Sequence, residues 1–375
     1  MTAPRSTSTS RRPANLASWR LEHISYSERL SVQPTICPSS DASRSIALPF
    51  SFQTATPVSA ATPSDNAAPH ITTSPGLQVP EAADFTHPDH VIPPKTYAGV
   101  EDLVIVCGHA IYHPDYSNLP IQGPHHEQNW HLAPFQKSNP ATGKPSEHST
   151  FLAHITAGLD ALTTSPSALK PLLVFSGAAT KPALTPLSEA RSYYHAALAV
   201  ELAAGHHGGG RAHALFHAGR LLLEERATDS LQNLLFSILL FRRTTGAYPK
   251  RVRVVTHAFK ARRFLELHAR AIAWPASRLL VQGIDPVMSG VELQEVVSGE
   301  ERFGYGAWEK DLLGTGEVLT RKRRERGWSG DADVVAELAE GLEDSVKALL
   351  RGSLVGVLPW SESQCEPASE DSGQG

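Results

Sequence analysis

The stretch Asp102-Leu-Val-Ile-Val-Cys-Gly108 decides the fold, because it is an unbroken apolar run that a glycine ends. Such a run is typical of a strand that is buried on both faces, as in a parallel sheet covered by helices. Similar runs follow at Leu172-Leu-Val-Phe-Ser176, Arg220-Leu-Leu-Leu223, Val252-Arg-Val-Val-Thr256 and Leu279-Leu-Val-Gln-Gly283. The sequence therefore predicts five buried strands.

Helical patterns lie between these runs. They cover Ser149 to Leu162, Ser188 to Ala204, Thr228 to Thr245 and Phe259 to Ile272, and the last places Phe264, Leu265, Leu267 and His268 on one face. Strands that alternate with helices imply right-handed crossovers, and hence a mainly parallel sheet with helices on both faces. We therefore predict an α/β protein, Rossmann-like and three-layered (α/β/α), with a sheet of about five strands.

The rest of the chain divides into two tails and one domain. Residues 1–95 are rich in Ser, Thr, Pro and Ala and predict a disordered tail, since they offer little apolar surface to bury. The domain is expected over 96–356, with a core at 102–286 and a final amphipathic helix at 331–351 that packs back on it. Residues 357–375 predict a disordered acidic tail. The long connection from Ile111 to Glu147 is either a lid or an insertion that covers an edge.

Composition excludes several classes of protein. A net charge of -4 gives no general attraction to nucleic acid or to anionic membranes, and no nucleic-acid partner is expected. The three cysteines show no CxxC spacing, and no apolar run is long enough to span a membrane. A cytoplasmic location is the default, although the arginines in the first 44 residues leave a mitochondrial transit peptide open. The basic run 321–326 is typical of solvated surface.

Polar residues concentrate where the predicted strands end. Ligands of open parallel sheets bind outside the carboxyl ends of the strands, so we expect these residues to share one crevice. The candidates for catalysis are Glu224 and Asp229. The candidates for ligand binding are Gly108, His109, Ser176, Gly177, Glu189, Asn233, Thr256, Lys260, Arg262 and Arg263.

Most of these residues also have a purely structural explanation. The two glycines either admit a ligand close to the backbone or make tight turns, and Asp229 is also suited to cap a helix. Glu189 lies in the first turn of its helix, where the dipole favours a carboxylate without any catalysis. Ser176 lacks the GxSxG spacing of a nucleophile elbow.

Basic residues after the fourth strand favour an anionic ligand. Lys260, Arg262 and Arg263 oppose the usual dipole preference at a helix start, which indicates a phosphate or carboxylate partner. A metal is not expected, because Pro114 makes a helix that would align His109 with His113 improbable. The sequence identifies no cofactor.

The order of these blocks resembles the DUF218 family (YdcF-like and SanA-like proteins) in its fungal-type branch, over about Asp102 to Pro286. At the places of the family's third block, Glu-x-x-Ser-x-Asn-Thr-x-x-Asn, this chain has Glu224, Ala227, Asp229, Ser230 and Asn233. The family's fourth block is fitted by Thr256, Phe259 and Arg263, but Phe264 stands where bacterial members have Ala. Lys260 stands where bacterial members have His, which weighs against an imidazole base at that place. The resemblance implies a Rossmann-like sheet and, by analogy with bacterial relatives, a nucleotide-type ligand.

Three functions remain open from the sequence. The leading one is a binding domain, or an enzyme, for a small anionic metabolite that is nucleotide-like or phosphorylated. The second is a non-enzymatic adaptor that uses its tails and the long connection to bind other proteins. The third is a phosphoryl or acyl hydrolase that depends on Glu224 or Ser176.

Overall fold

A five-stranded parallel sheet forms the centre of the fold in the computed structural model, which describes residues 96–114, 123–164 and 171–361. The strands are β1 (Asp102–Cys107), β2 (Ile111–Tyr112), β3 (Trp130–His131), β4 (Leu172–Ser176), β5 (Leu221–Glu224), β6 (Arg251–Thr256) and β7 (Leu279–Gly283). The main sheet has the order β5-β4-β1-β6-β7, and all four of its pairings are parallel. The predicted three-layer Rossmann-like fold is confirmed.

Helices cover both faces of this sheet. They are α1 (His148–Thr164), α2 (Glu189–Ala203), α3 (Gly210–His217), α4 (Ser230–Thr245), α5 (Ala269–Ala271), α6 (Gly290–Gly299), α7 (Gly306–Lys310), α8 (Glu317–Glu325), α9 (Ala332–Ala339) and α10 (Asp344–Leu350). Alternate residues of β1 enter two separate cores, because successive side chains of a strand point to opposite faces. Val104 and Val106 pack with α1, α2 and α3, whereas Leu103 and Ile105 pack with α4 and the C-terminal helices.

The strand order creates a switch point between β1 and β6. The chain runs outward from β1 to β4 and β5 on one side, and then returns to β6 and β7 on the other. The register aligns the carboxyl ends, with Cys107 opposite Ser176 and Ser176 opposite Glu224. Residues that follow these strands therefore meet at one edge of the sheet.

The segment after β6 corrects the predicted helix Phe259 to Ile272. It consists of a 3₁₀ turn at Ala258–Lys260, a π-helix at Arg263–His268 and the short α5. The wider turn of a π-helix changes which residues share a face. Phe264, Leu267 and His268 are buried as predicted, but Leu265 is 39% exposed.

Two predictions for the C-terminal region are also wrong. The helix expected over 331–351 is two helices, α9 and α10, separated near Gly341, whose φ of 68° ends the first of them. Both helices pack on the core, through Leu338 and Val346 among others. The tail expected from residue 357 begins later, because Leu358 and Trp360 are each 1% exposed.

Several sequence predictions fall on residues outside the described ranges. These are the disordered tail and transit peptide within 1–95 and the acidic tail from residue 362. The described part of the long connection carries β2 and β3, which pair antiparallel, and two 3₁₀ turns at Glu127–Asn129 and Pro134–Gln136. Within the described ranges, no helix is long and apolar enough to cross a membrane.

Candidate functional site

His109, Thr256 and Lys260 meet at the switch point. His109 follows β1, and its Nε2 lies 3.2 Å from Thr256 Oγ1 at the end of β6. Lys260 Nζ lies 3.3 Å from His109 Nδ1. Because an ammonium group can only donate, we assign Nδ1 as the acceptor and place the imidazole hydrogen on Nε2, where it points to Thr256. Three predicted ligand-binding residues are thus brought together.

Burial determines the protonation states of Lys260 and His109. Desolvation, and then the nearby Arg263, lower the pKa of Lys260 to about 8, so that its ammonium form still predominates at neutral pH. Desolvation and Lys260 also lower the pKa of His109 well below 6.5. The switch point therefore presents a cation supported by a neutral imidazole.

Arg263 adds a second cation, whereas Arg262 does not. Arg263 Nε lies 3.3 Å from Glu300 Oε1, but neither atom completes a hydrogen bond within the described ranges. Arg262 turns outward, pairs with Glu266 and lies 4.5 Å from the centre of the Tyr305 ring. The two arginines predicted to act as a pair are therefore on different faces of the helical segment, and Arg262 does not join the other site residues.

The backbone of His109 is fixed by two other elements. Its N–H donates to the Tyr193 hydroxyl oxygen at 3.1 Å, and its carbonyl accepts from Gln136 Nε2 at 3.1 Å. Tyr193 belongs to α2 and Gln136 to the long connection, which therefore lies against the end of β1. Neither residue was among the predicted site residues, because contacts between such distant parts of a chain leave no local pattern.

Ser176, Glu224 and Asn233 form a separate polar group beneath the surface. Ser176 Oγ lies 2.7 Å from Glu224 Oε2 and 3.0 Å from Asn233 Oδ1. A hydroxyl has one hydrogen, so a protonated Glu224 would supply the second one. Burial raises the pKa of Glu224 to about 7, which makes that form available near neutral pH.

Glu224 also binds the backbone of the turn after β5. Glu224 Oε1 accepts from the backbone N–H of Arg226 at 2.7 Å and of Ala227 at 3.1 Å. Ser176 is 0% exposed and Glu224 is 5% exposed. The side chains predicted to reach a ligand are instead committed to one another and to the backbone.

Asp229 is engaged through both of its carboxyl oxygens. Oδ1 accepts from the N–H of Gln232 at 2.9 Å and caps α4, which confirms the predicted cap. Oδ2 lies 2.5 Å from Arg323 Nε in α8. These contacts favour the structural explanation of Asp229 over a catalytic one.

Gly108 and Gly177 have no side chains, and Glu189 fills the space that this leaves. A Cβ at Gly108 would lie 2.6 Å from Glu189 Cβ, and one at Gly177 would lie 2.8 Å from Glu189 Oε2. Thr180 Oγ1 donates to Glu189 Oε1 at 2.5 Å, and burial raises the pKa of this carboxyl. The two strand ends therefore hold a largely desolvated acid at their surface.

Replacing Gly108 with alanine should lower the free energy of unfolding by about 1 to 3 kcal/mol, because the new methyl group overpacks against Glu189. Chemical denaturation checks this value. Gly290→Ala is the control, since a Cβ at Gly290 has no atom within 4 Å. Equal stability of the two variants would show that Glu189 is not held against Gly108.

A histidine pair that the sequence did not single out lies beside His109. The His257 ring lies 4.4 Å from that of His109, and the His154 ring lies 5.5 Å away. Both ring nitrogens of His257, and Nδ1 of His154, lack a hydrogen-bond partner within the described ranges. Glu147 Oε2 is 4.0 Å from His257 Nε2. The position of His257 directly after Thr256 was the only available signal.

Within the described residues, no group of three or more His, Cys, Asp or Glu side chains is arranged to hold a metal ion. A cavity of about 760 Å³ lies away from the strand ends, against α4 and the C-terminal helices. The strand-end group is closely packed, and its two cations, Lys260 and Arg263, are partly exposed.

The strand-end geometry and the sheet order define a Rossmann-like α/β protein with a polar switch point. The chain is similar to the uncharacterized protein YOR238W of Saccharomyces cerevisiae, with 25% identity over 307 residues that cover 69% of this chain and 97% of the relative. No family model matches the chain, and no solved structure matches it. The name of the yeast relative states no activity, so the function is argued from the site.

Proposed function

We propose that this chain is a DUF218-like protein that binds a small anionic metabolite, nucleotide-like or phosphorylated, at the switch point between β1 and β6. The observation that carries the proposal is the pair of cations at these strand ends. Lys260 uses one of its three N–H donors, on His109. Arg263 forms an ion pair with Glu300 at 3.3 Å but makes no side-chain hydrogen bond within the described ranges, so its N–H donors remain open to a ligand. Both side chains are partly exposed.

Each neighbouring residue has a role in this proposal. Neutral His109 accepts a hydrogen bond from the Lys260 ammonium through Nδ1 and so holds that cation in place without repelling it. Glu189, whose carboxyl pKa is raised by burial, lies beside Gly108 and Gly177 at the ends of β1 and β4, where its oxygens could contact a ligand hydroxyl. Switch points of doubly wound sheets are where phosphate-bearing ligands bind, which favours a nucleotide-like molecule.

The alternatives have less support. A hydrolase needs an accessible nucleophile or an accessible base that activates water. Ser176 is 0% exposed and Glu224 is 5% exposed and bonded to Ser176 and to backbone N–H groups, and burial raises the pKa of the Cys107 thiol to about 12. The adaptor hypothesis relies mainly on tails outside the described ranges. A cytoplasmic location remains part of the proposal, because three cysteines without paired spacing are typical of chains from reducing compartments.

The proposal is tested by isothermal titration calorimetry of the full chain with AMP, inorganic phosphate and adenosine. We expect AMP and phosphate to bind and adenosine to bind much more weakly, because the charged group makes the main contacts. Lys260→Ala should weaken AMP binding at least tenfold, the usual size of a lost charge-assisted hydrogen bond. Arg262→Ala removes the same charge two residues away and should bind AMP like the wild type.

Three outcomes would count against the proposal. The first is equal binding of AMP by the wild type and Lys260→Ala. The second is an equal loss in Lys260→Ala and Arg262→Ala, which would show a general effect of surface charge. The third is the absence of binding by either phosphate-bearing probe.

Binding should also depend on pH through Lys260. The ammonium form binds the anion, and the pKa of this group is lowered to about 8. We therefore expect affinity for AMP to change little between pH 7 and pH 7.5 and to fall above pH 8, by up to tenfold for each further pH unit. Lys260→Arg, which stays charged, should bind without this decline, and an unchanged decline in that variant would assign the titration to another group.

A further inference from the structure

A second region with the properties of a binding site lies between α4 and the C-terminal helices. It is the cavity of about 760 Å³ formed by α4 together with α8, α9 and α10. Its lining includes Leu235, Phe236 and Leu349, which are at most 5% exposed and belong to the core. This volume falls within the range of about 300 to 1,000 Å³ that is typical of small-molecule sites.

The described charged residues that line this cavity are all basic. Its lining contains Arg323, Arg324 and Arg351, and within the described ranges it contains no Asp or Glu. Arg323 is paired with Asp229. Arg324 and Arg351 are exposed, and neither side chain forms an ion pair or a hydrogen bond with another described residue. The guanidinium groups of Arg324 and Arg351 are therefore available to a ligand in this cavity.

We propose that this cavity binds a single-chain alkyl carboxylate, a ligand of the fatty-acid class. The alkyl chain would lie against Leu235, Phe236 and Leu349, and the carboxylate would lie at Arg324 and Arg351, whose guanidinium groups match its two oxygens.

The test uses calorimetry of the full chain with octanoate, decanoate and dodecanoate below their micelle concentrations. Affinity should rise about fourfold for each methylene group that enters the cavity. Decanol, which lacks the carboxylate, should bind about tenfold more weakly than decanoate. Equal affinity of the three carboxylates, or no binding, would overturn the proposal.

Two sets of variants locate the site. Arg324→Ala with Arg351→Ala should weaken decanoate binding about tenfold and leave decanol binding unchanged. The matched control, Arg270→Ala with Arg302→Ala, removes two exposed arginines that do not line the cavity and should behave like the wild type. Equal loss in both double variants would contradict the proposal.

A steric variant tests the apolar part independently. Ala336 is exposed and lines the cavity from α9, so Ala336→Trp should obstruct it and weaken both decanoate and decanol. If that variant fails to fold, the arginine variants and the chain-length series still decide the matter. Lys260→Ala should bind decanoate normally, which separates this site from the strand ends. Binding of the protein to phosphatidic acid vesicles without any binding of decanoate would assign the arginines to a membrane surface and overturn the proposal.

Discussion

Replacing Trp360 with alanine is expected to lower the free energy of unfolding by about 3 to 5 kcal/mol. The indole is 1% exposed, packs 5.8 Å from the Trp274 ring and donates from Nε1 to the carbonyl of Ile272 at 2.7 Å. The substitution would therefore leave a cavity and also an unpaired carbonyl oxygen. Denaturant unfolding of the full chain measures this loss.

The control for this variant is Val357→Ala, three residues earlier. Val357 is 66% exposed, so the change should stay within about 0.5 kcal/mol of the wild type. A small effect of Trp360→Ala would mean that the segment after α10 does not belong to the folded domain, as the sequence alone had predicted.

The second large effect concerns the pH dependence of stability at Glu224. Burial raises the pKa of this carboxyl from 4.5 to about 7, so between these values the folded state holds a proton that the unfolded state has released. The wild type should therefore lose about 3 kcal/mol of unfolding free energy as the pH rises through this window, and little more above pH 7. Glu224→Gln has no such titration.

The difference in unfolding free energy between Glu224→Gln and the wild type should accordingly shift by about 3 kcal/mol in favour of the variant between pH 4.5 and pH 7.5. The amide can also accept from the N–H groups of Arg226 and Ala227 and donate to Ser176, as a protonated carboxyl would. Glu225→Gln is the matched control. Arg191 and Ser188 lower the pKa of Glu225, so that variant should instead lose stability relative to the wild type as the pH rises. Parallel curves for Glu224→Gln and the wild type would contradict a buried, titrating Glu224.

The sheet was predictable because each strand is a short apolar run, and a parallel sheet buried on both faces requires such runs. Gly108, Ser176 and Thr256 directly end or follow these runs, so their convergence at one edge followed from topology. The π-helix at Arg263–His268 was not predictable, because its residues fit an α-helical pattern almost as well. Arg262 and Arg263 point to different sides in either kind of helix, because successive residues of an α-helix lie about 100° apart around its axis.

The sequence did not predict which side chains fill the crevice. The two glycines indicated a close approach, but only the folded chain identifies Glu189, from a distant helix, as the group that approaches. His257, directly after β6, and Glu147, directly before α1, likewise come together. The burial of Trp360 depends on contacts with Trp274 and Ile272 nearly ninety residues earlier, which no local pattern reports.

The central claim is that a small anion binds between Lys260 and Arg263, and its location can be measured directly. A crystal of the full chain is soaked with tungstate, a phosphate analogue, and the anomalous signal of the tungsten atom marks where the anion binds. The account predicts a peak whose oxygens lie about 3 Å from Lys260 Nζ and the Arg263 guanidinium, and loss of that peak in Lys260→Ala. Peaks only at other surface arginines, or a peak that persists in Lys260→Ala, would contradict it.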